Sequence, residues 1–337
     1  MSIGRVGHTA TRLLDGRVLV TGGRDFRDPT YSRAITYSSA EIFDPASGAW
    51  HLAAPMHHER SDHVALRLSD GRIFVVGGHD PATRPLTEIY DPARDVWTET
   101  AAVPGASLSS VTALDDGTLL ALGGLPSAGA APSDQRYDPA TNTWSPAARC
   151  PHPSVGHAAV KLPSGRVMVV AGDTGLGDRF LSSSDVYDPK SDTWTSGPPV
   201  PGIAGSVTVA TLADGSFVVS GESNPHVSGP PWGVARFDER TFAWTTLPAF
   251  PPGFPRFFAL PDGRLLSTSG LPDASASREI DALSADASAW RPIGVRPARS
   301  AAATIALLDG RLLFIGGYPM GSNEAVSVVD AFTPEKP

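Results

Sequence analysis

Seven two-residue turns recur along the chain at intervals of 46 to 55 residues. Each is followed within seven residues by a glycine doublet or by a Ser-Gly or Ala-Gly variant of it. The seven turns are Asp15-Gly16, Asp70-Gly71, Asp116-Gly117, Ser164-Gly165, Asp214-Gly215, Asp262-Gly263 and Asp309-Gly310. A repeat of this period built on strand hairpins is typical of a β-propeller or a related array. Because such a scaffold supports many functions, the repeat constrains the fold far more than the activity.

Each repeat is predicted to contain four strands. In the first, residues 8–14 alternate polar and apolar side chains, as a strand does. Asp15-Gly16 supplies the positive φ angles of a two-residue hairpin, and residues 17–21 form a β-branched return strand. A third strand is expected at 40–43 and a fourth from Trp50, and an Asp-Pro turn joins them.

A Tyr/Phe-Asp-Pro segment followed by a spaced tryptophan recurs in the first four repeats and decays in the next two. Together with the glycine doublets, this pattern resembles the kelch repeat. Residues 5–11 and 15–23 are especially similar to the seven-bladed propellers of the galactose-oxidase type. We expect the tryptophans to pack between adjacent blades, namely Trp50, Trp97, Trp144, Trp194, Trp244 and Trp290.

The resemblance implies an all-β chain that forms a single seven-bladed β-propeller domain over residues 1–337, with four antiparallel strands in each blade. The third strands continue through 278–280 and 326–329. Only six tryptophans occupy the fourth-strand position, because the chain stops at Pro337, just after the seventh third strand. We therefore expect the last blade to lack its outer strand, which leaves a short, proline-flanked edge.

Composition narrows the classes of partner. A net charge of −8 and a pI near 5.5 argue against nucleic acid or an anionic membrane as partner. No apolar stretch is long enough to span a membrane, and we expect no signal peptide before the first repeat. A single cysteine allows no intrachain disulfide, which predicts a cytoplasmic protein. Arginines outnumber lysines 24 to 3, which indicates a high-G+C bacterial genome.

The two ends of the blades are predicted to differ in use. In a four-stranded antiparallel blade, the tight first-to-second and third-to-fourth turns lie at one end, called here the Asp-Gly end. The second-to-third loops and the links between blades lie at the other, called here the doublet-glycine end. The loops of this second end vary in length and chemistry. Because function gathers on variable loops held by a rigid scaffold, we place the site at the doublet-glycine end.

The residues that follow the glycine doublets give the first set of site candidates. They are Arg24, His79, Leu125, Asp173, Glu222, Leu271 and Tyr318. Charged groups that share a pocket perturb one another's pKa, so His79, Asp173 and Glu222 are candidate acid–base groups. Arg24 and Arg256 are candidates to hold an anion, and Tyr318 to contact the ligand. The alternative is that these residues are only solvated loop starts.

A second set begins the innermost strands and contains three histidines, His8, His63 and His157. They could form a metal set, but the repeats that this chain resembles carry histidine there as a structural hydrogen-bonding residue, which we favour. Glu222 and His226 offer a carboxylate and an imidazole four residues apart, which partly resembles the iron ligands of plant specifier proteins. The middle aspartate of that set is missing. We therefore predict no metal and keep Glu222, His226 and His63 as weak candidates.

The fifth and sixth repeats depart most from the pattern and are rich in proline and aromatic residues. Broken local rules tend to mark function or strain. We predict that Trp232, Phe254 and Phe257 form an apolar wall of the site, opposite a charged wall of Arg24, His79 and Asp173. Such a pocket would suit a small amphipathic molecule.

Copper-radical chemistry, which the resemblance could imply, is not expected. It needs a Cys–Tyr crosslink and a Tyr-His pair, and the chain has no Tyr-His pair and only Cys150, so we expect no cofactor. The favoured hypothesis is a stand-alone propeller that binds a small molecule, with acid–base chemistry of the isomerase, lyase or cyclase type. The alternative is a protein–protein interaction scaffold without catalysis, in which case the doublet-glycine end binds a protein partner.

Overall fold

The computed structural model describes residues 1–25, 35–78, 87–104, 108–123, 134–174, 180–222, 232–248, 256–268, 279–284, 286–319, 322 and 324–335. In these residues all regular structure beyond turns is β-strand. The chain divides into two compact units. Unit 1 comprises Met1–Val103, Leu271–Arg278 and Gly294–Pro337, and unit 2 comprises Pro104–Gly270 and Glu279–Ile293. That the chain is one domain stays a prediction.

Unit 1 contains the first, second and seventh blades. Blade 1 consists of β1 (Thr9–Arg12), β2 (Val18–Thr21), β3 (Ala40–Phe43) and β4 (Trp50–Ala53). Blade 2 consists of β5 (Val64–Arg67), β6 (Ile73–Val76), β7 (Thr87–Asp91) and β8 (Val96–Thr100). In both blades the strands lie side by side in chain order, and each pair is antiparallel.

Unit 2 contains blades 3 to 5 and most of blade 6. Blade 3 consists of β9 (Leu108–Ala113), β10 (Leu119–Gly123), β11 (Gln135–Asp138) and β12 (Thr143–Pro146). Blade 4 consists of β13 (Ala158–Lys161), β14 (Val167–Val170), β15 (Ser184–Asp188) and β16 (Thr193–Ser196). Blade 5 consists of β17 (Val207–Thr211), β18 (Phe217–Glu222), β19 (Trp232–Asp238) and β20 (Ala243–Thr246). Blade 6 consists of β21 (Arg256–Ala259), β22 (Leu265–Thr268), β23 (Glu279–Leu283) and β24 (Trp290–Val295).

Blade 7, in unit 1, has three strands among the described residues. They are β25 (Ala303–Ala306), β26 (Leu312–Ile315) and β27 (Val329–Phe332), in that order across the sheet. The prediction of seven antiparallel blades, with the last one short of its outer strand, is therefore confirmed. The fold is a seven-bladed β-propeller. None of its described elements is a helix of the length and apolarity that a membrane span requires.

The Asp-Gly turns are closed by their own side chains. Asp15 accepts hydrogen bonds from the backbone N–H and from Nε of Arg17, at 3.0 and 2.8 Å. Gly16 has a φ of 89°, a conformation that favours glycine. The other five aspartates also accept from the residue two positions on, which is Arg72, Thr118, Ser216, Arg264 or Arg311.

The second strand of each blade forms the middle of the core. In β2, β6 and β26 every residue is buried. One apolar cluster of unit 1 joins Leu19 of blade 1 to Val75 and Trp97 of blade 2, and a cluster of unit 2 joins Val170 of blade 4 to Val219 of blade 5. Burial on both faces explains why these strands are continuous apolar runs and do not alternate.

Fourth-strand tryptophans join each blade to the one before it. Trp97 donates its indole N–H to the carbonyl oxygen of Ala54, in the link that follows blade 1, at 2.7 Å. Trp194, Trp244 and Trp290 make the same bond to the preceding link, at 2.8 to 3.0 Å. Trp50 packs on a cluster shared by blades 7 and 1. Packing between adjacent blades is thus confirmed for these five.

The Tyr-Asp-Pro turns complete the same junction. The hydroxyl of Tyr90 donates to Asp95 Oδ1 at 2.7 Å, and the same oxygen accepts the N–H of Ala54 at 2.8 Å. Tyr187 and Asp192 repeat the arrangement on Ala148, at 2.7 and 2.9 Å. The tyrosine rings also contact the tryptophans, with centroids 4.9 Å apart for Tyr90 and Trp97. The turn therefore fixes the preceding link as well as its own hairpin.

Candidate functional site

The residues after the glycine doublets occupy equivalent positions where the structure describes them. Arg24 forms an antiparallel bridge with Val6, Asp173 with Val155, and Tyr318 with Ser300. In each case the partner belongs to the link that leads into the same blade. The alignment of these three positions from the sequence is therefore correct. His79 and Phe254, like His226, lie outside the described residues.

Glu222 does not share this position. In blade 1 Thr21 pairs with Thr9, and in blade 5 Ser220 pairs with Thr208 and Gly221 with Val207. Glu222 therefore corresponds to the second glycine of the doublet, one residue short of Arg24. A shift of one residue turns a side chain to the opposite face of a strand. The placement of Glu222 with Asp173 and Arg24 was wrong, because β18 continues through the shortened doublet and pairs Glu222 with Trp232.

Two further candidates are already engaged in the fold. Arg24 Nη1 donates to Ser61 Oγ at 3.0 Å and forms an ion pair with Asp62, so an incoming anion would compete with that carboxylate. Phe257 is 6% exposed and stacks on Trp290 with centroids 5.5 Å apart. It belongs to the core of blades 5 and 6, which leaves it little surface for a ligand. Arg256, the residue before it, is exposed at the start of β21.

The histidines of the inner strands have structural roles. His63 Nε2 lies 3.0 Å from the hydroxyls of Thr9 and Thr21, and His157 Nε2 lies 2.7 Å from Ser110 Oγ. Each bond ties a histidine to the preceding blade. These bonds support the structural interpretation of His63 and His157. Among the residues that the structure describes, no three histidine, cysteine or acidic side chains group as metal ligands.

Burial, reinforced by the charge of Arg60, lowers the pKa of His63 to about 3, and burial beside Arg5 lowers that of His8 to about 3. A lowered pKa means that the unfolded chain binds more protons than the folded chain below pH 6.5. The contribution of these two histidines is therefore small above pH 6.5 and destabilises the fold increasingly toward pH 4, by about 1 kcal/mol per pH unit for each histidine. We expect His63→Gln to be less stable at pH 7 but to lose less stability on acidification. Urea midpoints from pH 7 to 4 test this.

His51→Gln, at an exposed residue of β4, is the matched control and should leave the pH slope of the wild type unchanged. An equal slope in His63→Gln and the wild type would show that His63 is not buried neutral.

A cluster that the sequence reasoning missed lies in blade 4. The carboxylate of Asp185, in β15, is 2% exposed, and its Oδ2 lies 2.8 Å from Nδ1 of His152. His152 comes from the link that precedes blade 4, and its ring is 46% exposed. Cys150 and Asp134 are buried beside this pair, and the Cys150 N–H donates to Asp134 Oδ2 at 2.6 Å. An acid two residues before the Tyr/Phe of the turn recurs in blades 1, 2, 4 and 7, and this was the available signal.

The cysteine of this cluster is not a nucleophile. Burial, with smaller contributions from the charges of Asp185 and Asp134, raises the pKa of the Cys150 thiol to about 12. The thiolate is the reactive form, so Cys150 is inert near neutral pH. Burial also raises the pKa of Asp134.

Asp281 holds the corresponding third-strand position of blade 6. It pairs with Ser267 across the sheet and is 5% exposed. Burial, followed by the charge of Glu279, raises its pKa to about 6. A carboxyl group that titrates near neutral pH can accept or donate a proton in catalysis. Asp281 is therefore an acid–base candidate that the sequence did not reveal.

The Asp-Gly end carries a cleft of about 420 Å³ in unit 2. Its walls are the hairpin turns of blades 3 and 4 and the Asp-Pro turn of blade 4, including Asp116, Arg166 and Lys190. Asp116 pairs with Arg136, and Arg166 pairs with Glu239 at 2.9 Å. Asp116 and Arg166 are thus paired within the fold, which argues for a structural role of these two side chains.

Comparison with known proteins agrees with this architecture. A model of the kelch motif matches residues 5–57 and 157–201. A fungal alcohol oxidase of the AA5 family, solved in complex with copper, superposes with a TM-score of 0.61 at 20% identity. The match covers 78% of this chain and 58% of that chain, so this chain spans less than two thirds of that structure. At this identity the likeness concerns the fold alone. No curated protein sequence matches the chain.

In the part of the chain that the structure describes, the single cysteine and three of the tyrosines do not fit the copper of such an oxidase. The hydroxyls of Tyr90, Tyr137 and Tyr187 donate to side chains of their own turns, at 2.7 to 2.9 Å. Cys150 is buried next to carboxylates, with a thiol that stays protonated. A thiol and phenols held in this way do not make the crosslinked ligand set that copper-radical chemistry needs.

Proposed function

Because the chain is a kelch-repeat protein with a seven-bladed propeller fold, which supports a binding or interaction role, we propose that it binds a small molecule at the doublet-glycine end. We further propose that acid–base groups there act on the bound molecule, in a reaction of the isomerase, lyase or cyclase type. A cytoplasmic location is part of this proposal and is supported by the single cysteine.

The main support for the proposal is that the two ends of the blades differ in how fully their polar side chains are hydrogen-bonded. At the Asp-Gly end each aspartate of the six Asp-Gly turns is bonded to its own turn. At the doublet-glycine end, buried polar atoms of Asp185, Tyr37 and Ser39 have no hydrogen-bond partner in the described parts of the chain. A buried polar group without a partner costs about 1–3 kcal/mol. Such groups persist where a ligand or an ordered water completes them.

The roles of individual residues follow from their chemistry. Asp173, held by bridges to Val155 and Phe180, and Asp281, with its raised pKa, are the groups proposed to move protons. His79 and Glu222 keep the acid–base role predicted from the sequence as part of the proposal. Arg256 is exposed and suited to an anionic part of the ligand, and Trp232 to its apolar part.

A binding screen tests the proposal. The full chain is screened against a panel of soluble metabolites by ligand-observed NMR, and hits are titrated into Asp173→Asn and Trp232→Ala. We expect at least a tenfold loss of affinity in one or both variants. Asp188→Asn, the same chemical change in an Asp-Pro turn of the opposite end, is the matched control and should bind as the wild type does. Loss in Asp188→Asn alone would place the site at the Asp-Gly end and overturn the proposal.

One observation favours a scaffold function, with the partner at the Asp-Gly end and not at the doublet-glycine end expected from the sequence. Leu14 and Leu308, each just before an Asp-Gly turn of unit 1, are 63% and 59% exposed. Exposed leucines at neighbouring turns are the kind of surface that a protein partner covers. If no metabolite binds in the screen, and Leu14→Ser with Leu308→Ser removes association with a partner protein, the scaffold function replaces the small-molecule one.

A further inference from the structure

Three blades of unit 1 contain an ion pair of the same construction, which is buried in blades 1 and 2, whereas in blade 7 Asp330 is 45% exposed. The arginine comes from the link before the blade, three residues before the inner-strand position of His8, and the acid lies two residues before the Tyr/Phe of the turn. Arg5 and Glu41 form the pair in blade 1, at 2.9 Å, and are 0% and 2% exposed. Blade 2 has Arg60 and Glu88 at 2.7 Å, and blade 7 has Arg299 and Asp330.

The guanidinium also donates to backbone carbonyl oxygens, which in blade 7 are those of Val328 and Phe314. Arg5 Nη1 donates to the carbonyl oxygens of Gly22 and Ser39, at 2.8 and 3.1 Å. Arg60 Nη1 donates to the carbonyl oxygen of Gly77, the equivalent of Gly22, at 3.1 Å. Each of these blades therefore contains a guanidinium position that combines a carboxylate with carbonyl oxygens, the acceptors that a planar fork of N–H donors requires.

Blade 4 keeps the acceptors but has serine in place of the arginine. Ser154 stands three residues before His157, and its hydroxyl donates to the carbonyl oxygen of Ala171, the equivalent of Gly22, at 3.1 Å. A Cβ on Gly172 would lie 2.6 Å from the Ser154 Cβ, as one on Gly23 would lie 3.2 Å from the Arg5 Cβ. The Ser154 side chain thus starts from the link in the same direction as the arginine side chains. It is shorter and does not reach the carboxylate of Asp185.

The acid itself is present in blade 4 and only half satisfied. Oδ2 of Asp185 is bonded to His152, whereas its Oδ1 is buried without a hydrogen-bond partner among the described residues. In blade 2, His57 lies 3.0 Å from Glu88 Oε2 while Arg60 binds Oε1. The two blades therefore differ in the guanidinium on the second carboxylate oxygen, and also in the backbone N–H groups of His57 and His58, which donate to Glu88 at 2.7 and 3.3 Å.

We propose that blade 4 binds the guanidinium group of a small molecule in the position that arginine side chains occupy in blades 1, 2 and 7. Asp185 Oδ1 and the carbonyl oxygens near Ala171 and Ser183 accept its N–H groups. His152, the exposed member of the cluster, marks the side that solvent reaches. The inference rests on the proposed function in placing a ligand at the doublet-glycine end, and it names the chemical class that the ligand would contain.

Titration of methylguanidinium chloride into the full chain, followed by two-dimensional amide NMR at constant ionic strength, tests the proposal. We expect saturable shifts of the amides near Ser154 and Asp185 at millimolar concentration. Tetramethylammonium chloride, which has the same charge and no N–H donors, should not produce them. Asp185→Asn is expected to weaken methylguanidinium binding at least tenfold. Shifts that do not saturate, or that persist in Asp185→Asn, would overturn the proposal.

Two reciprocal substitutions test the same proposal even if Asp185→Asn fails to fold. Ser154→Arg should supply the guanidinium from the chain itself, abolish methylguanidinium binding and raise Tm. Arg60→Ser should create a blade-4-like position in blade 2, with a lowered Tm that millimolar methylguanidinium partly restores. If Ser154→Arg binds methylguanidinium as the wild type does, blade 4 holds no such site.

The outcomes separate this inference from the proposed function. If metabolites bind through Asp173 or Trp232 but methylguanidinium does not bind, the proposed function is supported and the guanidinium site is ruled out. If methylguanidinium binds, Asp185→Asn abolishes this binding and no metabolite binds, the guanidinium site is supported and the proposed function is ruled out.

Discussion

Replacing Trp97 with alanine is expected to lower the free energy of unfolding by about 3–5 kcal/mol, the cost of deleting a large buried aromatic side chain. Trp97 is 7% exposed, packs in the cluster that joins blades 1 and 2, and donates to Ala54 across their junction. Because the indole joins two blades, its removal leaves a cavity and an unpaired carbonyl oxygen at the same place. Urea unfolding followed by far-UV circular dichroism measures the change.

Trp97→Phe separates the two parts of this effect. The phenyl ring keeps most of the packing and lacks the N–H, so we expect a smaller loss of about 1–2 kcal/mol. A loss under about 1.5 kcal/mol in Trp97→Ala would mean that the tryptophan is not part of the junction between blades.

Replacing Arg5 with methionine is expected to cost about 3–5 kcal/mol at pH 7, because it leaves the buried carboxylate of Glu41 without its cation. Burial penalises the charged form of a carboxylate whose cation has been removed. The penalty is then present above the ordinary pKa of glutamate and shrinks as the pH falls, since the protonated carboxyl carries no charge to bury. Urea midpoints of wild type and variant should therefore converge between pH 7 and 4.

Two controls isolate the buried charge. Arg17→Met removes an exposed pair with Asp15, 38% and 51% exposed, and should change stability by less than about 1 kcal/mol. Arg5→Met combined with Glu41→Leu removes both charges and should recover most of the loss, since an apolar pair can replace a buried ion pair at little cost. Equal losses in the single and double variants would show that Arg5 acts through its size alone.

The blade architecture was predictable because its determinants are local. Asp15-Gly16 closes its hairpin with bonds to Arg17, two residues away, and Tyr90 bonds to Asp95, five residues away. Interactions of this range appear in the sequence as fixed spacings. The site was less predictable, since Glu222 shifts by one position where the doublet is shortened, and Phe257 is a core residue although its neighbours break the repeat.

The sequence by itself determined seven hairpin turns, the order of strands and the tryptophans between blades, because each depends on residues close together in the chain. The tertiary structure alone decided which buried charges are matched. Arg5 contacts Glu41, which lies 36 positions further along the chain. In blade 4, Ser154 stands where blades 1, 2 and 7 have the arginine, and Asp185 lies far from it along the chain. The repeat brings those positions together only after the blade has folded. Whether a carboxylate is satisfied or open to a ligand is therefore set by packing, not by local spacing.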